Sequence, residues 1–344
     1  MIIEGPGGEN KVLAHDARPG GYQATWEAPP RTSARYKAEK RGGYWPSRQG
    51  YNRLILFHYP YKYRGAPMRL RTLVTLLALI IWSSSALCIA ASGRYSREIT
   101  GKDGAPMVLV PAGWFLRGSS DAQVREALAE CNRTRNNKCQ LKWFERGKPQ
   151  RRVYLDAFFI DKYLITNQAF RVSGMKTEKS YGPKFNGLKQ PVLGVTWFQA
   201  RDYCQKASRR LPTEAEWEKA ARGVDGRNYP WGNEWDGAKL IWGKTSGGKT
   251  HSVDRVYNTH ESPYGAVDMA GQVWEWVHDW YQLGYFRNAP EKNPKGPSDG
   301  SKRVLRSGSW KSVKPWYFRA SFRHSSPPDS RIMSRGFRCA KGLK

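Results

Sequence analysis

Four cysteines in the body of this 344-residue chain could cross-link it or carry redox chemistry. They are Cys131, Cys139, Cys204 and Cys339, and a fifth, Cys88, lies in an apolar segment upstream. An even number of thiols in an oxidising compartment is typical of disulfides, with free thiols as the alternative. Four cysteines allow three pairings. We favour a local Cys131–Cys139 bond together with a long-range Cys204–Cys339 bond.

A cluster of carboxylates offers a second kind of chemistry. Glu214, Glu216 and Glu218 stand close enough in sequence for acid–base catalysis. They follow Thr213, however, and the Thr213–Glu216 spacing predicts a capping box, in which acids of the first turn favour the helix dipole. We therefore predict a structural role for all three. The single histidine of an aromatic stretch, His278, is likewise more typical of a packed or surface residue than of a catalyst.

The composition indicates the kind of domain that positions these residues. Hydrophobic residues make up 39% of the chain and the mean hydropathy is −0.72, which excludes a polytopic membrane protein and a disordered chain. Fifteen Trp, 18 Tyr and 12 Phe stand beside 34 Gly and 21 Pro. We therefore expect a globular domain with an aromatic core and many turns.

The net charge of +29, from 58 basic and 29 acidic residues, favours a polyanion partner at first sight. The basic excess is spread along the chain, though, and we find no zinc-finger spacing, basic zipper or aromatic RNA-binding motif. We interpret the charge as a solvated basic surface and expect no specific nucleic-acid partner. A polyanion-binding module is the alternative.

An export signal is predicted well inside the chain. Met68 and two nearby arginines precede an uncharged, mostly apolar stretch that ends in the small pair Ala90-Ala91. A positive start, an apolar run and small residues at the cleavage site are typical of a secretory signal, so we expect residues 68–91 to be a signal peptide. The alternative is an uncleaved anchor over residues 72–91, because about 18 weakly polar residues can span a bilayer.

This signal sets the expected compartment and the domain limits. Either form places the body outside the cytoplasm, in the periplasm or secreted, and only an uncleaved anchor would contact a membrane. We expect residues 1–67 to be an upstream extension that is disordered or precedes the true start. Residues 92–106 are then a linker, and residues 107–340 form one folded domain.

Capping and alternation signals predict the main elements of that domain. Side chains that can cap a helix predict helix starts after Ser120, Thr166, Thr196 and Thr213, with the first helix running through Leu128. Gly223 predicts the end of the last of these helices. Apolar runs at residues 107–110 and 153–160 predict strands.

Four motifs resemble one known family. They are Arg210–Glu218, Tyr229–Asn233, Gly271–Trp276 and Gly336–Cys339. Their sequences and order resemble the formylglycine-generating enzyme family, also called sulfatase-modifying factors. The resemblance runs from about Met107 to Cys339. The resemblance implies a single α+β domain of C-type-lectin-like type with little regular secondary structure. It also implies that Cys204 pairs with Cys339.

The same resemblance bears on activity. Active family members bind copper through two cysteines that follow a Gly-Gly-Ser-aromatic turn, which here is Ser307–Trp310. The first cysteine position falls on Ser312 and the second near Pro315 or Trp316, so neither thiol is present. A serine hydroxyl is a hard ligand that cannot replace thiolate for copper(I). We therefore predict no copper site and no formylglycine-generating activity, and no catalytic residue can be assigned.

A structural calcium site is also implied by the resemblance. The matching positions are Asp268, Gly271, Val273 and Glu275, where two carboxylates and two backbone carbonyls would supply the hard oxygen ligands that calcium prefers. We expect one Ca²⁺ ion there. The alternative is that Asp268 and Glu275 only pair with surrounding arginines and lysines.

The family's substrate groove has candidate residues in this chain. The segment Tyr317–Arg323 resembles the wall of that groove, and Trp310, Ser312 and Arg323 are the groove candidates. At strand spacing, one face of such a segment can pack while the other presents guanidinium groups. We expect Arg319 to pair with acids in the core and Arg323 to face the groove.

Together these features favour an exported, calcium-stabilised domain of the formylglycine-generating enzyme fold that lacks that activity. It would act as a binding or maturation factor for an exported peptide, protein or peptide-derived substrate. The main alternative is a periplasmic oxidoreductase of another chemistry, similar to family members that mature the pyoverdine chromophore without the cysteine pair.

Overall fold

A computed structural model describes residues 97–135, 137–255 and 261–343 of the chain. All of them belong to one of two units, residues 72–344, and the other unit, residues 1–71, lies wholly outside the described part. The expected extension, the signal or anchor and Cys88 therefore fall outside the described residues. Within the described ranges, no helix combines the length and the apolar character needed to cross a membrane.

Within the described residues, ten short strands form three separate sheets. The first sheet has the order β1-β2-β5-β10, with every pair antiparallel, and comprises Glu98–Thr100, Pro106–Val110, Phe158–Asp161 and Ala340–Gly342. The second pairs β3 with β4, Gly113–Arg117 and Arg151–Leu155. The third has the order β8-β7-β6-β9, with β6 and β9 parallel, and comprises His324–Ser326, Arg303–Arg306, Trp274–Trp280 and Arg335–Phe337.

The four described α-helices begin where the capping residues predict. They are α1 (Asp121–Thr134), α2 (Asn167–Val172), α3 (Trp197–Lys206) and α4 (Glu214–Arg222). Complete capping boxes start α1, α3 and α4, and Gly223 ends α4. Helix α1 continues past Leu128 because Cys131 extends its buried face, one helical turn beyond Ala127.

Two segments differ from the expected element limits. The apolar run at residues 153–160 is divided between β4 and β5, which lie in different sheets, and Asp156 at the break exchanges hydrogen bonds with Asn293. Strand β1 lies within residues 92–106, where a linker was expected, and pairs with β2. The described domain therefore extends upstream of Met107.

Aromatic and disulfide-linked clusters form the core, as the composition predicts. Trp217 packs among strands of the first two sheets and α4, while Trp276 and Phe337 pack around the Cys204–Cys339 disulfide. The second disulfide joins Cys131 to Cys139. Both predicted pairings are confirmed. Closing the long loop of the Cys204–Cys339 bond stabilises the fold by about 5 kcal/mol in the chain-entropy description.

Candidate functional site

The first turns of α4 carry a buried ion-pair network. Glu214 accepts hydrogen bonds from Arg117 at 3.0 Å, Arg306 at 3.1 Å and Arg323 at 2.6 Å, and all four side chains are buried. Burial by itself disfavours the charged carboxylate, but Arg323, Arg306 and Arg117 prevail and lower the pKa of Glu214 to about 2. Glu214 therefore stays ionised as a structural counterion.

The neighbouring acids are structural as well. Glu218 pairs with Arg222 at 2.9 Å and with Arg306 at 2.8 Å. Glu216 accepts from the backbone N–H of Thr213 at 2.8 Å and completes the capping box. Each carboxylate is thus occupied by a cap or a guanidinium, which agrees with the predicted structural role of the three acids.

Arg323 lies inside this network, although we expected it to face a groove. Its Nε and Nη2 bind the two oxygens of Glu214 at 2.6 and 2.9 Å, and its Nη1 donates to the carbonyls of Arg146 and Gln282. Only 1% of its surface is exposed. Arg319 pairs with Glu126 at 3.4 Å and Glu130 at 3.8 Å, as expected. Both arginines therefore support the fold.

Ser312 lines an open cavity of about 400 Å³. Its Oγ accepts from the backbone N–H of Ser309 at 3.2 Å and lies 3.2 Å from the Ser309 hydroxyl. The other lining residues are aromatic or basic: Arg135, Trp143, Arg146, Trp274, Trp316, Tyr317, Phe322 and His324. The described lining contains no cysteine and no acidic residue.

Trp310 does not share this cavity. Its ring packs against Phe185, with centroids 5.0 Å apart, and its Nε1 donates to the carbonyl oxygen of Met333 at 3.3 Å. Of the three groove candidates, the structure places Ser312 alone in the cavity wall. The position of the second family cysteine was expected near Pro315 or Trp316. Of these two residues, Trp316 lines the cavity.

Arg135, Arg146, Trp274 and His324 escaped the sequence analysis as cavity residues, whereas Tyr317 and Phe322 lie in the segment expected to form the groove wall. His324 lies beside Trp274, with ring centroids 5.0 Å apart, and Tyr317 lies beside Phe322 at 5.1 Å. Burial, helped by nearby Arg335 and Arg146, lowers the pKa of His324 to about 4, so its imidazole is neutral at neutral pH. The aromatic residues of the Tyr317–Arg323 segment were the sequence signal for the cavity wall. The rings of Tyr317 and Phe322 line the cavity, while Arg323 points into the protein and binds Glu214.

The predicted calcium ligands lie close together in a buried turn. Asp268 has a positive φ of 57° and accepts from Gln272 Nε2 at 3.4 Å. Burial raises the pKa of Asp268 to about 7, with Arg338 opposing the rise and Glu275 adding to it. Gly271 has a φ of 92°, and a Cβ there would lie 2.5 Å from the carbonyl oxygen of Ile241. Glycine is therefore required for this turn.

Glu275 already has protein partners at this position. Arg338 binds both of its oxygens, at 2.7 and 3.0 Å, and Trp217 Nε1 donates to one of them at 3.0 Å. One lone pair of Oε1 remains for a cation. The described ranges contain no group of three or more His, Cys, Asp or Glu side chains placed for a metal. The ligand set fits calcium only if the carbonyls of Gly271 and Val273 contribute.

Comparison with known proteins shows which family this chain matches. The model of the sulfatase-modifying factor enzyme 1-like domain matches residues 95–343. The serine/threonine-protein kinase pkn1 of Chlamydia caviae is 34% identical over 263 residues, which cover 69% of this chain and 38% of that protein. The formylglycine-generating enzyme of Bos taurus is 29% identical over 325 residues, covering 73% and 81%. The chain thus spans about two fifths of the chlamydial relative.

Solved structures show the same fold. Treponema denticola variable protein 1 superposes with a TM-score of 0.58 at 24% identity, covering 72% of this chain and 100% of that one. PvdO from Pseudomonas aeruginosa gives 0.57 at 24% identity, covering 72% and 98%. The fold is therefore the expected α+β, C-type-lectin-like fold. The chain belongs to the sulfatase-modifying factor family.

Proposed function

We propose that this protein is an exported member of the family that binds a peptide segment of an exported partner in the aromatic cavity and does not generate formylglycine. The observation that carries the proposal is the position of Ser312. It lines the cavity among aromatic and basic side chains, and the motif resemblance aligns it with the first copper-binding cysteine of active relatives. The proposed cavity therefore has the side chains for binding but carries a hydroxyl where the resemblance expects a thiol.

The state of the cysteines supports this proposal. All four cysteines of the described residues form disulfides, and none of them lines the cavity. A disulfide sulfur is neither a thiolate ligand nor a free nucleophile. Two disulfides also agree with the proposed export, because such bonds persist in oxidising compartments.

The activity experiment uses the full chain with both disulfides intact. The chain is incubated with copper and a Cys-x-Pro-x-Arg peptide, and aldehyde is measured by mass spectrometry. We expect no aldehyde, because serine does not hold copper(I) as thiolate does. Aldehyde formed by the wild-type chain would contradict the proposal. Peptide binding weakened by Trp143→Ala, at a partly buried residue of the cavity lining, with unfolding unchanged, would support it.

We further propose that one calcium ion binds at Asp268, Gly271, Val273 and Glu275. The buried carboxyl of Asp268 supports this, because a cation would favour its charged form. Calcium at about 100 times its Kd should stabilise the full chain by about 2–3 kcal/mol relative to excess chelator. Asp268→Asn should abolish this gain, whereas Asp254→Asn, at an exposed acid paired with Lys189, should retain it. Equal unfolding with calcium and with chelator would contradict the site.

A second candidate is an oxidoreductase of different chemistry. His324 and Tyr317 line the cavity together with Ser312, and a neutral imidazole can bind a metal or accept a proton. The fold that the chain shares with PvdO is compatible with this candidate. A stoichiometric transition metal in protein purified from its host, lost in His324→Gln, would favour this function over binding alone.

A further inference from the structure

The described lining of the cavity is positively charged. Two guanidinium groups, those of Arg135 and Arg146, line it, and its described lining has no carboxylate. Neither guanidinium has an ion pair with an acidic residue in the part of the chain that the structure describes. His324 is neutral at neutral pH, so the two arginines set the sign of the field inside.

The arginines stand on backbone that the fold holds in place. The Cys131–Cys139 disulfide closes the loop that carries Arg135, and Asn132 Oδ1 accepts from the backbone N–H of Cys139 at 3.2 Å. The carbonyl of Arg146 accepts from buried Arg323, and the next residue, Gly147, accepts from the Ser119 N–H at 2.9 Å. Such preorganisation lowers the entropic cost of binding an anion.

Aromatic rings form the rest of the wall. The Trp274 ring lies 6.1 Å from both Tyr317 and Phe322, and Trp316 lies 6.0 Å from Tyr317. The Arg135 guanidinium lies 5.5 Å from the Trp143 ring centroid, which places a positive charge beside the rings. A ligand that fits must bring an apolar side chain and a negative charge close together.

We infer that the cavity selects an acidic peptide segment, in which a carboxylate adjoins an aromatic side chain. This inference rests on the proposed peptide-binding function and adds the sign of the partner's charge. Arginine–carboxylate pairs are strong because the planar guanidinium can donate two parallel hydrogen bonds. A Cys-x-Pro-x-Arg segment would bring a third positive charge to two unpaired arginines, and like charges disfavour binding.

A peptide fits this cavity better than single-stranded nucleic acid. Proteins that bind such strands track several successive phosphates along a basic groove while the bases stack. Here two cations line a pocket of about 400 Å³, which has room for a few side chains. The chemistry of one or two carboxylates beside a ring matches that arrangement.

The experiment compares peptides of equal length on the full chain by calorimetry at near-physiological salt. One peptide alternates phenylalanine with glutamate, the second has glutamine for glutamate, and the third has lysine. We expect the acidic peptide to bind about tenfold more tightly than the neutral peptide, and the basic peptide most weakly. Arg146→Met should remove most of this preference.

A matched control and a fourth ligand complete the design. Arg171→Met removes an exposed arginine that lies outside the cavity lining, so it should leave every affinity unchanged. Equal binding of all three peptides, weakened by Trp143→Ala, would overturn the acidic preference and leave the binding function standing. No peptide binding would overturn both. Tighter binding of a short oligothymidine, lost in Arg146→Met, would overturn the assignment to a peptide.

Discussion

Arginines occupy two contrasting regions of this domain. Around α4, Arg306 and Arg323 are buried and bind Glu214, and each arginine of this network pairs with Glu214 or Glu218. At the cavity, Arg135 and Arg146 stand among aromatic rings, without an acidic partner among the described residues. We call the α4 region complete, because its arginines are paired with carboxylates. We call the cavity region incomplete, because its arginines can still bind a negative ligand.

The contrast shows how a strongly basic chain divides its charge. A buried guanidinium without a carboxylate would carry a large desolvation penalty, so the α4 arginines depend on Glu214 and Glu218. Partly exposed guanidiniums remain solvated by water and need no internal partner. The α4 arginines therefore serve the fold, and the cavity arginines are available for binding.

Removing the central acid of the complete region should have the largest effect. Glu214→Gln leaves Arg117, Arg306 and Arg323 buried around a neutral side chain, and we expect a loss of about 3–5 kcal/mol in the free energy of unfolding. Urea unfolding followed by tryptophan fluorescence measures this loss. Glu291→Gln, at an exposed acid 3.5 Å from Arg151, is the control and should cost less than about 0.5 kcal/mol. Equal losses of stability in the two variants would contradict the structural role of Glu214.

The next largest effect concerns the covalent support of the cavity. Replacing Cys131 and Cys139 together by serine opens a loop of sequence separation 8, which should lower the free energy of unfolding by about 2–3 kcal/mol. Because Arg135 lies inside that loop, affinity for the acidic peptide should fall as well. A variant that unfolds earlier yet binds with full affinity would show that the disulfide does not position Arg135.

A smaller, pH-dependent effect should come from His324. The pKa of His324 is about 4 in the folded protein, below its ordinary value of 6.5, so the unfolded chain binds the proton first as the pH falls. Stability from this group is present above pH 6.5 and is lost toward pH 4. Between pH 7 and 5 the wild type should lose about 1–2 kcal/mol more than His324→Gln. Identical pH profiles of urea unfolding would contradict this assignment.

The smallest effect on stability is expected at the incomplete region. Arg146→Met removes no ion pair within the described residues, so its free energy of unfolding should stay within about 0.5 kcal/mol of wild type. Arg323→Met, which leaves Glu214 without its closest partner, should destabilise the protein by several times that amount. Similar losses in the two variants, measured by urea unfolding, would show that Arg146 also supports the fold.

Local signals in the sequence predicted much of the scaffold. The capping residues at Ser120, Thr196 and Thr213 act within one helical turn, so α1, α3 and α4 begin where expected. The four motifs indicated the family and the Cys204–Cys339 pairing. Each of these features depends on a few neighbouring residues or on a motif of fixed order.

The cavity could be predicted only in part, because distant segments form it. Ser312 was found from its position after the Ser307–Trp310 turn, but nothing near Arg135 or Arg146 in the sequence indicates a shared wall with Trp274. Arg323 was expected at the groove because alternation does not say which face is buried. Glu214, 109 residues away, determines that Arg323 turns inward.

The most direct test observes the indole N–H resonances of the tryptophans by NMR during titration with the acidic aromatic peptide. The account predicts that the resonances of Trp143, Trp274 and Trp316, which line the cavity, shift together with increasing peptide, while those of Trp217 and Trp276, which lie outside its lining, stay in place. Unchanged cavity resonances, or the same shifts with the lysine peptide, would contradict it.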